Sequence, residues 1–264
     1  MNKIVKLLIL DLDKTLLRDD GTISKEDKNA IQLCKEKGIK ISIISGRNEE
    51  SMTDIVRELD LFENVHIGVN GAILIDYKKG IKELATIDND IYAFLVNQFN
   101  KENRAFMPLN KDGYFYDKKG PLYDDVTTWI KEESLKKGNL YNLKNCYRIS
   151  VRFEDKKDLE HLKSYLPDLM YGTVDRNVYD IRPTKVNKFM GLMELMKYYD
   201  VTKDEIATIG DQGSDIELLK NTKYSFAVKN ASKDAKEAAK FILNRTNNEN
   251  AVSEMINMLI KPPT

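Results

Sequence analysis

The stretch Ile4-Val5-Lys6-Leu7-Leu8-Ile9-Leu10-Asp11-Leu12-Asp13-Lys14-Thr15 decides the fold. From Ile4 to Leu10 it is apolar except for Lys6, a run of strand length without the polar alternation of a strand that has one wet face. It reads as a strand buried on both faces of a parallel sheet. Asp11 and Asp13 follow at once, so two carboxylates emerge at the carboxyl end of that strand, where open α/β sheets bind their ligands.

Working outward, Ser24 with Asp27 three residues on has the form of an N-cap. Ala30, Leu33 and Cys34 then recur at helical spacing until Gly38 stops the helix. Ile39 to Ile44 is the next apolar run. Strand, helix and strand make a right-handed crossover unit, which predicts a doubly wound, Rossmann-like parallel sheet. A helix over Glu49 to Leu59 and an apolar run at Val65 to Val69 continue the pattern. It resumes much later, with a helix from Lys188 to Tyr199, a strand from Ile206 to Ile209 and a helix from Asp215 to Lys220.

The interruption differs in texture. Strands at Tyr114-Phe115-Tyr116 and Tyr147 to Phe153 alternate with helices near residues 89–101, 124–136 and 155–165, an α+β pattern. The expected organisation is therefore an α/β core made of residues 1–81 and 184–264, with an α+β domain of residues 82–183 inserted into it. Turn signals lie at both seams, Lys78-Lys79-Gly80 and Arg182-Pro183-Thr184, and hinges are expected there. Nine of the chain's 13 tyrosines fall in the insert, where tyrosine suits half-buried strands. Arg148 and Arg152 alternate on one strand and share a face, and they read as a surface pair. Lys229 to Lys240, with Ala231, Ala235, Ala238 and Ala239, reads as a helix with one buried stripe.

With 42 basic and 42 acidic residues among 264, no electrostatic footprint for nucleic acid or an anionic membrane is expected. Two cysteines, Cys34 and Cys146, make neither a disulfide framework nor a zinc site. The start of the chain lacks a signal-peptide cleavage region, and no run of about 18 uncharged apolar residues exists to span a membrane. A cytoplasmic protein, monomeric or weakly dimeric, is expected.

Four signals carry chemistry: Asp11-Leu12-Asp13-Lys14-Thr15; Ser45-Gly46-Arg47, whose hydroxyl and amides precede a helix and suit an anion; Lys188 at a helix start; and Gly210-Asp211-Gln212-Gly213-Ser214-Asp215 after a strand. Each alone is an ordinary turn. In this order, each at a strand end or a helix start, they resemble the haloacid dehalogenase-like phosphatases. Asn70-Gly71-Ala72, Val186-Asn187-Lys188 and the placement of the insert are similar to the Cof-type branch and its larger cap type, C2B.

The resemblance implies roles. Asp11 is the nucleophile that forms an aspartyl-phosphate, and Asp13 the general acid and base. Magnesium would be held by the Asp11 carboxylate, the Asp13 backbone carbonyl and Asp211. Thr15, Ser45, Gly46, Lys188 and Ser214 would serve the phosphoryl group, with Asp215 supporting Lys188 or a metal-bound water. Ser214 departs from the family pattern, which has asparagine there. His66 and His161 lie outside all four signals and read as structural or surface residues. The expected substrate is a small phosphorylated metabolite, above all a sugar phosphate. A phosphomutase and a non-catalytic metabolite-binding protein are the alternatives.

Overall fold

The computed structural model describes residues 5–128, 130–168, 170–175 and 177–260, with the side chains of residues 171–175 excepted. The chain divides into two compact units, one of Met1–Lys82 with Asn187–Thr264, the other of Glu83–Val186.

The first unit opens with β1 (Leu7–Leu10), α1 (Lys25–Glu36), β2 (Lys40–Ile43), α2 (Glu49–Glu58), β3 (Val65–Gly68) and β4 (Ile73–Asp76), followed by β5 (Gly80–Glu83). Ser24 caps α1 by accepting the Asp27 N–H, as its spacing predicted. The second unit continues with α3 (Asn89–Lys101), β6 (Phe106–Asn110), β7 (Gly113–Tyr116), α4 (Pro121–Thr127), β8 (Leu135–Lys137), β9 (Arg148–Arg152), α5 (Lys156–Ser164), β10 (Met170–Asp175) and β11 (Val178–Pro183). The chain then returns through α6 (Lys188–Tyr199), β12 (Ile206–Gly210), α7 (Ile216–Asn221), β13 (Tyr224–Ala227), α8 (Lys233–Ala238), β14 (Phe241–Ile242) and α9 (Ala251–Ile260).

In the first unit β14-β13-β12-β1-β2 form a parallel sheet. A parallel bridge between Ile44 and Ile67 extends it towards β3. All four β1 side chains have 0 % exposure, the signature of a sheet covered on both faces. Helices α1 and α9 pack on each other, while α6, α7 and α8 make a second packed set. This is the α/β, doubly wound core that the apolar runs predicted.

In the second unit a mostly antiparallel sheet, β10-β11-β9-β6-β7-β8, carries the helices. Ile149, Val151 and Ile181 on one face of this sheet pack with Phe106, with Tyr92, Leu95 and Phe99 of α3, and with Leu162 of α5.

Some local readings are corrected and others are borne out. Residues 124–136 are not one helix. Helix α4 ends at Thr127, a 3₁₀ turn occupies Glu132–Ser134, and β8 pairs parallel with β7; sheet pairing overrides the helix-forming Lys and Glu there. Lys78-Lys79-Gly80 lies at the turn joining β4 to β5, which are neighbours in a small sheet with β3. The helix expected over 229–240 is only Lys233–Ala238, because Ser232 caps it and residues 228–232 are needed as a loop. Arg148 is not on the surface: it is buried with Asp180 3.4 Å away, while Arg152 is half-buried and pairs with Asp125 and Glu154. His66 is buried in β3, where its Nδ1 accepts the Ile43 N–H at 3.1 Å. His161 is exposed, 2.7 Å from Glu102.

Candidate active site

Three strand ends meet because of register. Leu10 lies between Ile43 of β2 and Ile209 of β12. The residues that follow them, Asp11, Ile44-Ser45 and Gly210-Asp211, therefore leave the sheet side by side. The Asp11 N–H donates to the Ile209 carbonyl at 3.4 Å, and the Ile44 N–H to the Leu10 carbonyl at 3.0 Å.

The loop Ser45-Gly46-Arg47 is tied to the turn after β3. The Asn70 N–H donates to the Ser45 carbonyl and the Val69 N–H to the Arg47 carbonyl, both at 2.9 Å. Val69 and Asn70 have φ of 51° and 53°. For a β-branched residue this left-handed backbone costs on the order of 1–3 kcal/mol and persists only where neighbours over-determine it. At Gly71, φ is +111°, and a Cβ would stand 2.2 Å from the Asn187 carbonyl oxygen. Only glycine lets the chain pass there, so the turn after β3 seats directly against the residue that caps α6.

Lys188 is the first residue of α6, whose cap is the Asn187 side chain accepting the Met190 N–H at 2.9 Å. A cation in the first turn faces the positive end of the helix dipole. Two carboxylates offset that: Lys188 Nζ donates to Asp11 Oδ1 at 2.5 Å and to Asp215 Oδ1 at 2.7 Å. The other oxygen of Asp215 accepts the Asp211 N–H at 3.2 Å and the Gln212 N–H at 3.1 Å. Gly210 makes room for this arrangement, since a Cβ on it would lie 2.5 Å from Asp215 Cγ. Thr15 Oγ1 donates to Asp211 Oδ1 at 3.5 Å.

Asp11, Asp211, Asp215, Thr15, Ser45 and Lys188 are all buried. Burial is the largest influence on Asp11; it outweighs the attraction of Lys188, and with repulsion from Asp215 and Asp13 it carries the carboxyl up to about 7. Burial, then Asp11 and Asp215, push Asp211 up to about 8. Burial alone would lower Lys188, but the two carboxylates beside it win and hold its ammonium above the usual lysine range.

One oxygen from each of Asp11, Asp211 and Asp215 lies within 4.8 Å of the others. Among the described residues Lys188 is the basic group hydrogen-bonded to this triad. An all-oxygen donor set of buried carboxylates with excess negative charge fits a hard divalent cation such as magnesium.

Asp13 stands apart, with its side chain 60 % exposed, and is held by Arg47: Nε to Oδ2 at 3.0 Å and Nη2 to Oδ1 at 2.6 Å. This partner was not singled out from the sequence, although Arg47 sits in a quoted signal. Ser45 Oγ accepts the Arg47 N–H at 3.3 Å, and Gly46 lies between them. Ser214 is exposed on the turn Gly213–Asp215. Asn230, whose side chain donates to the Lys14 carbonyl at 2.8 Å, gave no sequence signal at all.

Comparison with known proteins shows the family to which the chain belongs. The family model for haloacid dehalogenase-like hydrolases matches residues 8–256. The chain is 28 % identical to a 5-amino-6-(5-phospho-D-ribitylamino)uracil phosphatase of Bacillus subtilis, over 95 % of this chain and 96 % of that protein. It is 25 % identical to an enzyme of the same name from Escherichia coli, over 97 % of each. A haloacid dehalogenase-like hydrolase from Bacteroides thetaiotaomicron has the same fold, with a TM-score of 0.87 and 21 % identity over 96 % of this chain and 99 % of that one. The match runs almost from end to end and takes in every strand that lines the acidic edge, so the chain belongs to the haloacid dehalogenase-like hydrolases, in their Cof-type branch.

Proposed function

We propose that this phosphoric monoester hydrolase works through an aspartyl-phosphate on Asp11, with magnesium, on a small phosphorylated metabolite, a sugar or sugar-alcohol phosphate above all. The observation that carries the reading is Lys188 Nζ bonded at once to Asp11 and Asp215, with Asp211 in the same buried cluster. The ribitylaminouracil phosphatases among the relatives act on a phosphorylated polyol chain by name, which fits this substrate class.

The chemistry divides into two transfers. An oxygen of the Asp11 carboxylate attacks phosphorus as the bond to the leaving oxygen breaks, and Asp13 gives that oxygen its proton. Water then attacks the phosphorus, Asp13 takes the water's proton, the bond to Asp11 breaks and inorganic phosphate leaves. Lys188 offsets part of the cost that burial imposes on the Asp11 charge and offers a positive charge to the phosphoryl oxygens. The Ser45 hydroxyl and the Gly46 amide are further donors at that edge, with Ser214 on the exposed turn. Thr15 steadies Asp211, and Asp215 steadies Lys188. The Asp11 and Asp211 carboxylates and the Asp13 carbonyl would hold the ion, which would supply positive charge to neutralise the phosphoryl group.

Purified protein given phosphorylated sugars, sugar alcohols and 5-amino-6-(5-phosphoribitylamino)uracil, with magnesium and with EDTA, should release inorganic phosphate only with the metal. Acid-quenched reactions with radiolabelled substrate should leave a hydroxylamine-labile label on the protein, absent in Asp11→Asn. Phosphate release without any such label would remove the covalent step, and an isomerised sugar phosphate in place of free phosphate would make the protein a mutase.

A further inference from the structure

The loop between β13 and α8 touches both acidic loops of the site. Its Ser232 N–H donates to the Asp211 carbonyl at 2.8 Å, and its Val228 N–H reaches the Gly210 carbonyl at 3.3 Å. Two residues before Ser232, Asn230 Nδ2 donates to the Lys14 carbonyl at 2.8 Å. The Asn230 Oδ1 meanwhile accepts the Asn247 N–H at 3.0 Å. Asn247 is itself buried, and its Nδ2 donates to the Leu17 carbonyl and to Asp19 Oδ1, both at 3.0 Å. Two asparagines thus hold the segment Lys14–Asp19 at three points, while the same 228–232 loop holds the backbone on either side of Asp211.

Lys14 needs such a hold. Its φ is 59°, a left-handed conformation that a lysine adopts at a cost and keeps only when surrounding bonds over-determine it. The turn it makes sets the direction of the preceding peptide, and with it the carbonyl of Asp13. A misplacement on the order of 1 Å in a reacting group can cost about a hundredfold in rate.

We infer that Asn230 is a positioning residue. By holding the Lys14 carbonyl while Ser232 holds that of Asp211, it sets the distance between the loop carrying Asp11 and Asp13 and the loop carrying Asp211. This rests on the reaction proposed above. It predicts that Asn230 acts on turnover and not on substrate affinity, although it touches neither the phosphoryl group nor the carboxylates that receive it.

Asn230→Asp separates the two halves of the side chain's work. It keeps an acceptor for the Asn247 N–H but sets an oxygen against the Lys14 carbonyl, where the native amide donates. The expected result is a fall in kcat of about tenfold or more, with KM changed less than about threefold and a melting temperature near that of the wild type. Amide hydrogen exchange measured without metal should speed up in peptides covering residues 12–19 and stay unchanged in peptides covering β1 and β12. Asn230→Ala, which removes both bonds, should show the same split with faster exchange still. Wild-type kcat in Asn230→Asp, or a rate loss matched by a rise in KM with no change in exchange at 12–19, would overturn the positioning role. If no substrate is turned over by the wild-type protein, the function reading itself fails, while the exchange measurement still decides whether Asn230 orders the loop.

Discussion

Arg47 grips Asp13 through two parallel bonds, Nε to Oδ2 at 3.0 Å and Nη2 to Oδ1 at 2.6 Å. The pair joins the loop after β1 to the loop after β2. It places a planar guanidinium on the carboxyl group assigned to proton transfer, a fork-to-fork geometry that lysine does not reproduce.

If Arg47 acts through Asp13, the two effects do not add. Asp13→Ala should lower kcat by about a hundredfold or more, the loss of a general acid and base. Arg47→Met should lower it by roughly tenfold, and the double variant should be no slower than Asp13→Ala alone. Steady-state kinetics on the four proteins checks this; strictly multiplicative losses would place Arg47 in an independent role.

Asp11→Asn should abolish turnover and leave the fold intact, since an amide is a poor nucleophile. It should also stabilise the metal-free protein at high pH. Asp11 is raised to about 7 in the folded state against 3.8. A raised carboxyl binds its proton more tightly when folded, so its favourable contribution is complete below 3.8 and is lost as pH rises through about 7. In EDTA at pH 8 the variant, with no charge to bury, should melt higher than the wild type, and the difference should shrink towards pH 5. Equal melting temperatures at pH 8 would contradict the burial argument.

Lys188→Met removes the cation from a cluster whose carboxylates stay behind. Breaking a buried pair from one side costs about 3–5 kcal/mol, which urea denaturation at pH 8 in EDTA should register. At pH 5 protonation of Asp11 and Asp211 should recover much of that loss, because neutral carboxyls no longer need the lysine.

His66 supplies a pH dependence of opposite sign, away from the site. Its Nδ1 accepts the Ile43 N–H and its Nε2 lies 3.1 Å from the Leu61 carbonyl, so the neutral ring bridges β2 and the segment before β3. Burial pushes its pKa down to about 4 from 6.5. A histidine depressed in this way loses stability as pH falls from 6.5 to 4, by on the order of 3 kcal/mol in all. The slope of stability against pH across that window should be shallower in His66→Gln than in the wild type.

How much of this was legible can be judged element by element. β1 was readable because Leu7–Leu10 is apolar without alternation, and α1 because Ser24 caps it and Ala30, Leu33 and Cys34 recur at helical spacing. β8 was not, because Leu135-Lys136-Lys137 has no strand pattern of its own and becomes a strand only by pairing with Tyr114-Phe115-Tyr116. Arg148 was misjudged for the same kind of reason. Its place on a strand is local information, but the burial of its guanidinium beside Asp180 depends on which strand comes to lie next to it.

Sequence alone determined the doubly wound core, its interruption by an α+β unit, and the residue types at the acidic edge, because hydrophobic period and turn chemistry act over a few residues and are written in order along the chain. Tertiary structure alone decided that Lys188 would be bonded to Asp11 and Asp215, that Arg47 would hold Asp13, and that Asn230 and Asn247 would hold the backbone of Lys14 and Leu17. Those contacts join residues 27 to 230 positions apart. Hydrogen-bond distances of this kind follow from strand register and loop path, which no local pattern encodes.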